Sequence, residues 1–582
     1  MTLRAFLDVE SSLTGRRWQG PTASAERLAE AMAQTTRLPL PLCHTLVARG
    51  VAPQDAAGFL APALRDLLPD PLTLKDMGRA AARFLKALNS REKIAIFADY
   101  DVDGGTSAAL LIIWLRAMGA TATLYIPDRI DEGYGPNVPA MTALAAGHSL
   151  ILCVDCGTVS HEPIAAASHR ADVVVLDHHL GADTLPPAHA VVNPNRQDED
   201  GTLAHLCAAS VVFLMLVEAN RQLRAKGISG PDLMAMLDLV ALATVADVAP
   251  LIGVNRALVR QGLTVMARRE RIGLRALADI ARMDQAPTPY ALGFLIGPRI
   301  NAGGRIGQAD LGARLLATEN PAEAAALAER LDALNSERRA IEAGVREAAL
   351  AQAEARGFDA PLVWAAGEGW HPGVVGIVAA RLKEAAHRPA VVIGIEGGIG
   401  KGSGRSVTGI DLGAAVQQLA VEGLLLKGGG HKMAAGLSVV PDQIGAAMAR
   451  LGVLLAKQGA GNSGPGTLTI DSLLMPSAAT PALIELIETA GPFGASAPAP
   501  RFAFANQAVS ARRIGENHLR LTFGDGGGPK LEAVAFGAFD GPLGPALETA
   551  GHQRFHLAGR LEINTWGGKT KVQLRLEDAA PA

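Results

Sequence analysis

Seven side chains between positions 99 and 179 are of a type and spacing that could handle phosphate. Asp99, Asp101 and Asp103 lie in ADYDVDG, Asp155 in VDCG, and Asp177, His178 and His179 in LDHH. Gathered in one place, that many carboxylates would repel one another unless a cation neutralised them. Oxygen ligands with a minority of imidazole suit Mn2+ or Mg2+ better than zinc. Two such ions, about 3.5–4 Å apart, activate a water and stabilise the leaving oxygen of a phosphodiester.

Blander readings exist for each piece. A lone aspartate after a strand is usually a turn former or helix cap. The triplet Asp99, Asp101 and Asp103 lacks the spacing and the distal glutamate of an EF-hand. Cys153 and Cys156 make a C-x-x-C, but no second pair accompanies them and Cys153 falls in an apolar strand, so the pair reads as structural. What favours chemistry is that each acidic group follows its own apolar run.

Those runs must position the groups. KIAIFADY, ATLYIPD (122–128), SLILCVDCG (149–157) and ADVVVLDHH (171–179) read as strands, and 107–119 as a helix ending at Gly119. Strands alternating with helices imply a parallel sheet, whose ligands sit beyond the carboxyl ends of its strands. The spacing predicts a helical N-terminal region over 1–80, a catalytic α/β domain over 81–320, and a connecting helix over 321–357. A smaller α/β domain over 358–456 follows, then a breaker-rich linker at 457–466 and an all-β module over 467–582. Gly567-Gly568 sits where a hairpin turn belongs.

Composition sets the outer limits. A chain of 582 residues, 49% hydrophobic and 19% charged, has material for three or more cored domains. No apolar run approaches the ~20 residues of a membrane span. The first residues lack a secretory pattern, and four scattered cysteines make no disulfide framework, so a reduced, cytoplasmic setting is expected. The net charge of −3 argues mildly against nucleic acid, yet it hides an asymmetry. Between Asn255 and Arg314 there are ten arginines against Glu270, Asp279, Asp284 and Asp310. That excess is either a phosphate surface or a solvated helix face.

The motifs together resemble the DHH phosphoesterase superfamily. ADYDVDG, VDCG and LDHH occur in its order, and ALATVADVAPL supplies a fourth acid, Asp247. GSGRS (402–406) and GGGHKMAAG (428–436) look like its DHHA1 domain. GPRINAGGRIG (297–307), WHPGVVGIVAARL (370–382) and INTWGGKTKVQL (563–574) look like the RecJ branch, so the likeness covers nearly the whole chain. The resemblance implies a single-strand-specific, 5′-to-3′ DNA exonuclease of DNA repair and recombination that uses two Mn2+ or Mg2+ ions. It implies Asp101, Asp103, Asp155, His178 and Asp247 as metal ligands, and His179 beside them as a ligand or as an acid touching the phosphate. Asp99 would orient a ligand or the water. Many relatives have His-Gly where this chain has Phe97-Ala98, a departure that alters the metal site if that histidine contributes, with Asp99 supplying the missing polarity.

A phosphate-facing wall follows from the same reading. Glycine-rich GSGRS and GGGHK would let backbone amides approach phosphate as nests do, with Ser403, Arg405, Ser406 and His431 adding donors. Arg299, Asn301 and Arg305 would face the same cleft. The C-terminal module resembles an OB-fold, with Trp566, Lys569, Lys571 and Arg520 as contacts to single-stranded DNA. The fold class is thus a parallel-sheet α/β domain joined by a long helix to a smaller α/β domain, plus an all-β OB-like domain. A small-substrate phosphoesterase and a non-catalytic single-strand-binding protein are the rival readings. A single-strand-binding protein or a helicase is a partner by resemblance only.

Overall fold

The computed structural model describes residues 4–129, 131–461, 466–524, 528–566 and 569–582, without the side chains of 565–570. They form two compact units, one of 69–249 and 261–463, the other of 1–68, 250–260 and 464–582. No helix among the described residues is long and apolar enough to cross a membrane.

The first unit is organised by five strands: β1 Ile94–Ala98, β2 Ala122–Tyr125, β3 Leu150–Val154, β4 Asp172–Leu176 and β5 Ala190–Val192. They are all parallel, in the order β2-β1-β3-β4-β5. The last was not anticipated, because three residues are too short for a periodicity to show. Every residue of β1 and β3 is buried, as expected of strands covered on both faces. Ala95, Phe97, Ile151, Cys153, Val173 and Val175 pack with Met141, Leu144 and Ile164 from helices on one face. The strand order reverses between β1 and β3, so the crevice beyond their carboxyl ends lies at a topological switch point.

The helix after β1 spans Val102–Ala117 rather than 107–119. It starts five residues early because the Asp101 carboxylate accepts the amides of Asp103 (2.8 Å) and Gly104 (3.1 Å), and such a cap outweighs the low helix propensity of Asp and Gly. Asp103 therefore stands in a helical turn, not in a loop. Helix Pro321–Arg356 begins at Asn320, whose side chain accepts the amides of Ala322 and Glu323, and ends at Gly357 with φ 83°. Its 36 residues run about 54 Å at 1.5 Å per residue. It packs first on helices Ile272–Ile280 and Gly297–Ile306, then on helix Pro372–Ala386 and the strand Val363–Glu368.

That strand opens the second sheet, β6 Val363–Glu368, β7 Ala390–Glu396, β8 Ile399–Arg405, β9 Lys427–His431 and β10 Ala434–Val439, in the order β9-β10-β8-β7-β6. Only β6 and β7 are parallel. The glycine-rich pieces are therefore strands and not phosphate-binding turns. β8 is paired on both sides, which commits its amides to the sheet. Its glycines serve packing, since a Cβ on Gly402 would come within 2.8 Å of Leu437.

In the second unit, Phe502–Ile514, His518–Gly524, Leu531–Ala535, Lys569–Pro581 and Arg554–Trp566 pair in sequence, and the first pairs again with the last. That closes a five-stranded barrel of the OB type around Phe502, Phe504, Phe523, Phe555 and Leu574. The Gly567-Gly568 turn lies outside the described residues, as do 462–465 of the expected linker. The N-terminal region is not purely helical. Arg17–Gln19 pairs in parallel with Thr467–Thr469, and fully buried Trp18 donates its Nε1–H to Asp578 (2.9 Å). Thr14 donates to the other carboxylate oxygen at 2.9 Å. Buried Asp578 thus ties the first strand of the chain to the last.

Asp578→Ala leaves the indole N–H without an acceptor in a dry site and should cost about 3 kcal/mol or more. A urea titration followed by tryptophan fluorescence checks this; an unchanged midpoint would show the tie to be dispensable.

Candidate metal centre

The acidic groups converge at the switch point. Asp99 leaves β1 with its amide donating to the Val154 carbonyl (3.3 Å), which turns its carboxylate toward the end of β3. Asp101 caps the following helix. Gly104 is required there, because a Cβ would lie 2.4 Å from the Asp99 carbonyl oxygen. Asp155, just past β3, adopts φ 61°, a left-handed conformation that a short polar residue tolerates and that kinks the chain over the crevice. Asp247 is the C-cap of helix Leu237–Ala246. Asp103 accepts the amides of Ala208 (2.7 Å) and Ala209 (2.8 Å), the positive end of helix Ala208–Ala225.

Three overlapping groups have ligand atoms within 4.8 Å of one another: Asp155–His178–His179, Asp103–His178–Asp247 and Asp99–Asp101–Asp155. His178 Nε2 is central, 3.3 Å from Asp155, 3.7 Å from Asp103 and 3.8 Å from Asp247. Asp99 Oδ1, Asp155 Oδ1 and His178 Nε2 are buried without any hydrogen-bond partner. Burial, with neighbouring carboxylates behind it, raises Asp99, Asp103 and Asp155 above the usual carboxylate range and pushes Asp247 up to about 8. Orphaned buried acceptors and carboxylates that resist sharing charge fit divalent cations bound by oxygen with some imidazole. The seven expected residues Asp99, Asp101, Asp103, Asp155, His178, His179 and Asp247 are brought together.

A second set orients the histidines: Asp177, already singled out in LDHH, with Thr158 and Tyr134, which were not anticipated. Asp177 accepts the His179 Nδ1–H (2.8 Å), the Thr158 hydroxyl (2.6 Å) and the Thr158 amide (3.0 Å). Burial opposes its charge, but these bonds and the His179 ring hold its carboxyl well below the ordinary range. Burial likewise opposes charge on His179, yet Asp177 outweighs it, and the pKa is pushed up to about 9. Tyr134 lies edge-on to His179 and its hydroxyl is 3.1 Å from the Asp155 carbonyl. Nothing in one sequence separates this tyrosine from any other exposed one.

The phosphate-facing residues divide. Arg405 donates to Ser403 Oγ (2.9 Å), and Arg305 donates to the Gly373 carbonyl (3.0 Å). Burial first and then Arg129 lower the pKa of both, Arg305 to about 10. Arg129, also unanticipated, stacks over Tyr100 at 5.1 Å and is close enough to Asp99 to stabilise its charge. Arg129 is thus close enough to Arg305 and Arg405 for their charges to be felt, and guanidiniums of this kind suit anions. Arg299, Asn301 and Arg305 all line a cavity of about 770 Å³ with Arg338, Arg339 and the stacked pair Tyr290–Phe294, and Asp332 neutralises Arg299 at 2.8 Å.

Among the other expected contacts, Asn301, Ser406 and His431, only that of Ser406 needs correction. Asn301 Oδ1 accepts the Val102 amide (3.1 Å), so it completes the cap of the Asp103 helix. Ser406 is buried and donates to the Ile410 carbonyl (2.9 Å). His431 is exposed at the end of edge strand β9, with no bonded partner among the described residues. Phe97, where the resemblance would place histidine, is fully buried and stacks on Tyr125 at 5.4 Å, on the core side of the sheet. Cys153 and Cys156 are free and buried in that core. On the barrel, Lys571 pairs with Glu532 (2.9 Å), whereas exposed Arg520 lies directly opposite Arg512. The Trp566 and Lys569 side chains lie outside the described residues.

Fold and site define a protein of the DHH type with an appended OB barrel: residues 93–244 match the DHH family, N-terminal domain, 359–457 the DHHA1 domain and 470–578 the RecJ OB domain. The chain is 39% identical over 564 residues to the single-stranded-DNA-specific exonuclease RecJ of Dickeya dadantii, covering 94% of this chain and 96% of that one. It is 37% identical over 562 residues to that of Escherichia coli, covering 93% and 96%. The crystal structure of RecJ in complex with Mn2+ from Thermus thermophilus matches with a TM-score of 0.80 at 31% identity, over 97% of this chain and 79% of that one. The chain belongs to the RecJ family.

Asp155→Asn keeps a residue that tolerates the left-handed turn while deleting a buried charge. It should raise the melting temperature of the metal-free protein and abolish the further rise that MnCl2 gives the wild type. Differential scanning with EDTA and with MnCl2 decides; a lower melting temperature in EDTA would mean that the cluster is not strained by like charge.

Proposed function

We propose that this chain is a single-stranded-DNA-specific exonuclease that hydrolyses phosphodiesters from the 5′ end with two Mn2+ or Mg2+ ions, in DNA repair and recombination. The observation that carries the reading is an orphaned carboxylate–imidazole cluster with Arg129 and Arg305 close enough to feel its charge. The cluster suits a scissile phosphodiester, and the arginines suit a terminal phosphate, whose extra charge rewards guanidinium donors most.

Asp101, Asp103, Asp155, His178 and Asp247 would hold the cations, with Asp99 completing the set. When bound, the cations supply activation of the attacking water and stabilise charge on the departing oxygen. His179, kept protonated and oriented by Asp177, offers a proton at Nε2 to the phosphate or leaving oxygen. The basic groove walled by Arg338, Arg339 and Arg346 tracks the strand, and Tyr290 and Phe294 offer stacking to unpaired bases. On the barrel, Arg512 opposite Arg520 would be unfavourable unless an anion lay across them, which suits a phosphate backbone. We place domain boundaries near 81, 321, 358 and 467. Four free cysteines support a cytoplasmic setting. A single-strand-binding protein or a helicase is the expected partner.

A strand labelled at either end, incubated with MnCl2 or EDTA, should release mononucleotides from the 5′ end only, and only with metal. Release from the 3′ end, or full activity in EDTA, would refute the assignment. Arg129→Ala should raise KM for a 5′-phosphorylated strand by about tenfold or more, the loss expected of one desolvated phosphate contact, and erase the preference over a 5′-hydroxyl strand. Steady-state kinetics on the two strands checks this.

A further inference from the structure

The His178–His179 dipeptide lies just past the point where the sheet stops holding the chain. β4 and β5 pair as far as Leu176 and Val192, and the Asp177 amide still reaches the Val192 carbonyl (3.1 Å). Beyond that, no strand ladder supports the two histidines, yet both of their peptide groups are saturated. Asp177 Oδ1 accepts the amides of His178 (2.8 Å) and His179 (3.2 Å). The carbonyls are taken by side chains of the loop 193–195. Asn195 Nδ2 donates to the His178 carbonyl at 2.6 Å, and Asn193 Nδ2 to the His179 carbonyl at 2.8 Å.

The two amide groups can point only one way. Asn195 Nδ2 meets two carbonyls, those of His178 and Ala204 (3.2 Å), so it must be the donor end. Asn193 Oδ1 accepts the Asn195 amide (2.7 Å), which fixes its orientation too. Asn193 Nδ2 also donates to Thr158 Oγ1 (2.7 Å), and Thr158 donates to Asp177. One fully buried asparagine thus reaches the histidines by both routes, through a carbonyl and through the carboxylate that bonds the His179 ring. The segments are zipped further along. The Gly181 amide donates to the Asn195 carbonyl (3.1 Å) and Gln197 to the Gly181 carbonyl (3.0 Å). A Cβ at Gly181 would sit 3.2 Å from the Asn195 oxygen, tight enough to push the segments apart.

We propose that Asn193 and Asn195 are positioning residues for the reaction: they clamp the histidine pair by its backbone and so set both imidazoles against the carboxylates. A half-satisfied peptide here would let the ring positions drift, and His178 Nε2 lies 3.3–3.8 Å from three carboxylates, where a small rotation changes which of them share a cation. Neither asparagine bonds a carboxylate or an imidazole ring of the cluster, so the clamp acts through the peptide groups of His178 and His179 and through Thr158 and Asp177. It rests on the reading that these histidines belong to the metal site.

The test uses the full chain and four variants: Asn195→Ala, Thr158→Ser, Thr158→Val and His178→Ala. Mn2+ binding is measured by isothermal titration, turnover on a 5′-phosphorylated strand, and melting in EDTA. Asn195→Ala should lower kcat and weaken Mn2+ binding by about 10–100-fold each, the usual cost of losing an outer-shell partner, with KM for the strand and the EDTA melting temperature nearly unchanged. Thr158→Ser, which keeps the hydroxyl, should stay near wild type, and Thr158→Val should fall with Asn195→Ala. Wild-type kcat and Mn2+ affinity in Asn195→Ala, with His178→Ala inactive, would overturn the clamp alone. Equal losses in Thr158→Ser and Thr158→Val would reduce the network to packing and overturn it as well. Wild-type turnover in His178→Ala would overturn the site reading and the clamp with it. Should Asn195→Ala not fold, the Thr158 pair decides.

Discussion

Like-charge repulsion at a buried sheet edge is the constraint around which the larger unit is built. Five carboxylates of the cluster share a space from which water is largely excluded, and no lysine or arginine pairs with any of them directly among the described ion pairs. The protein manages that charge with dipoles. Asp101 is held by the first amides of one helix and Asp103 by those of another, so two acids are stabilised by helix N-termini rather than by counter-charges. Amides quench no net charge, which leaves the cluster able to take up cations. A buried arginine in the same place would have stabilised the fold and ended the chemistry.

Positive charge is kept close but separate. Arg129, Arg305 and Arg405 make no salt bridge to the carboxylates among the described ion pairs, and burial first, then Arg129, lowers the basicity of Arg305 and Arg405. Carboxylates that crowd one another and arginines left without a described carboxylate partner thus lie in one unit. The long helix makes this possible mechanically. Its first half packs on the helix carrying Asn301 and Arg305, its second half on the domain carrying Ser403 and Arg405.

Precision in the site comes from side-chain amides rather than from the sheet. Strands end where function begins, because a residue still bound in a ladder cannot turn toward a ligand. Here Asp177, Thr158, Asn193 and Asn195 take over the bonds that the ladder no longer makes. The closed barrel of the other unit shows the same economy, with buried Asp578 uniting Trp18 and Thr14 from the opposite end of the chain.

Period, composition and residue type were enough to locate the parallel sheet, the connecting helix, a terminal all-β module and the carboxylate–histidine set, because burial on both faces and capping leave marks on neighbouring residues, whereas the barrel form of that module was read only by resemblance. Asp247 was visible only by resemblance, since an acid after an apolar helix has many meanings. What tertiary structure alone decided were the partners. GSGR reads as a turn until the sheet pairs it on both sides, and nothing local to Asn301 announces that its Oδ1 accepts the amide of Val102, 199 residues away. Arg129, Thr158 and Asn195 carry no local signal at all. Their roles depend on what lies across a crevice, and hydrogen-bond complementarity between distant segments has no periodicity for a single sequence to display.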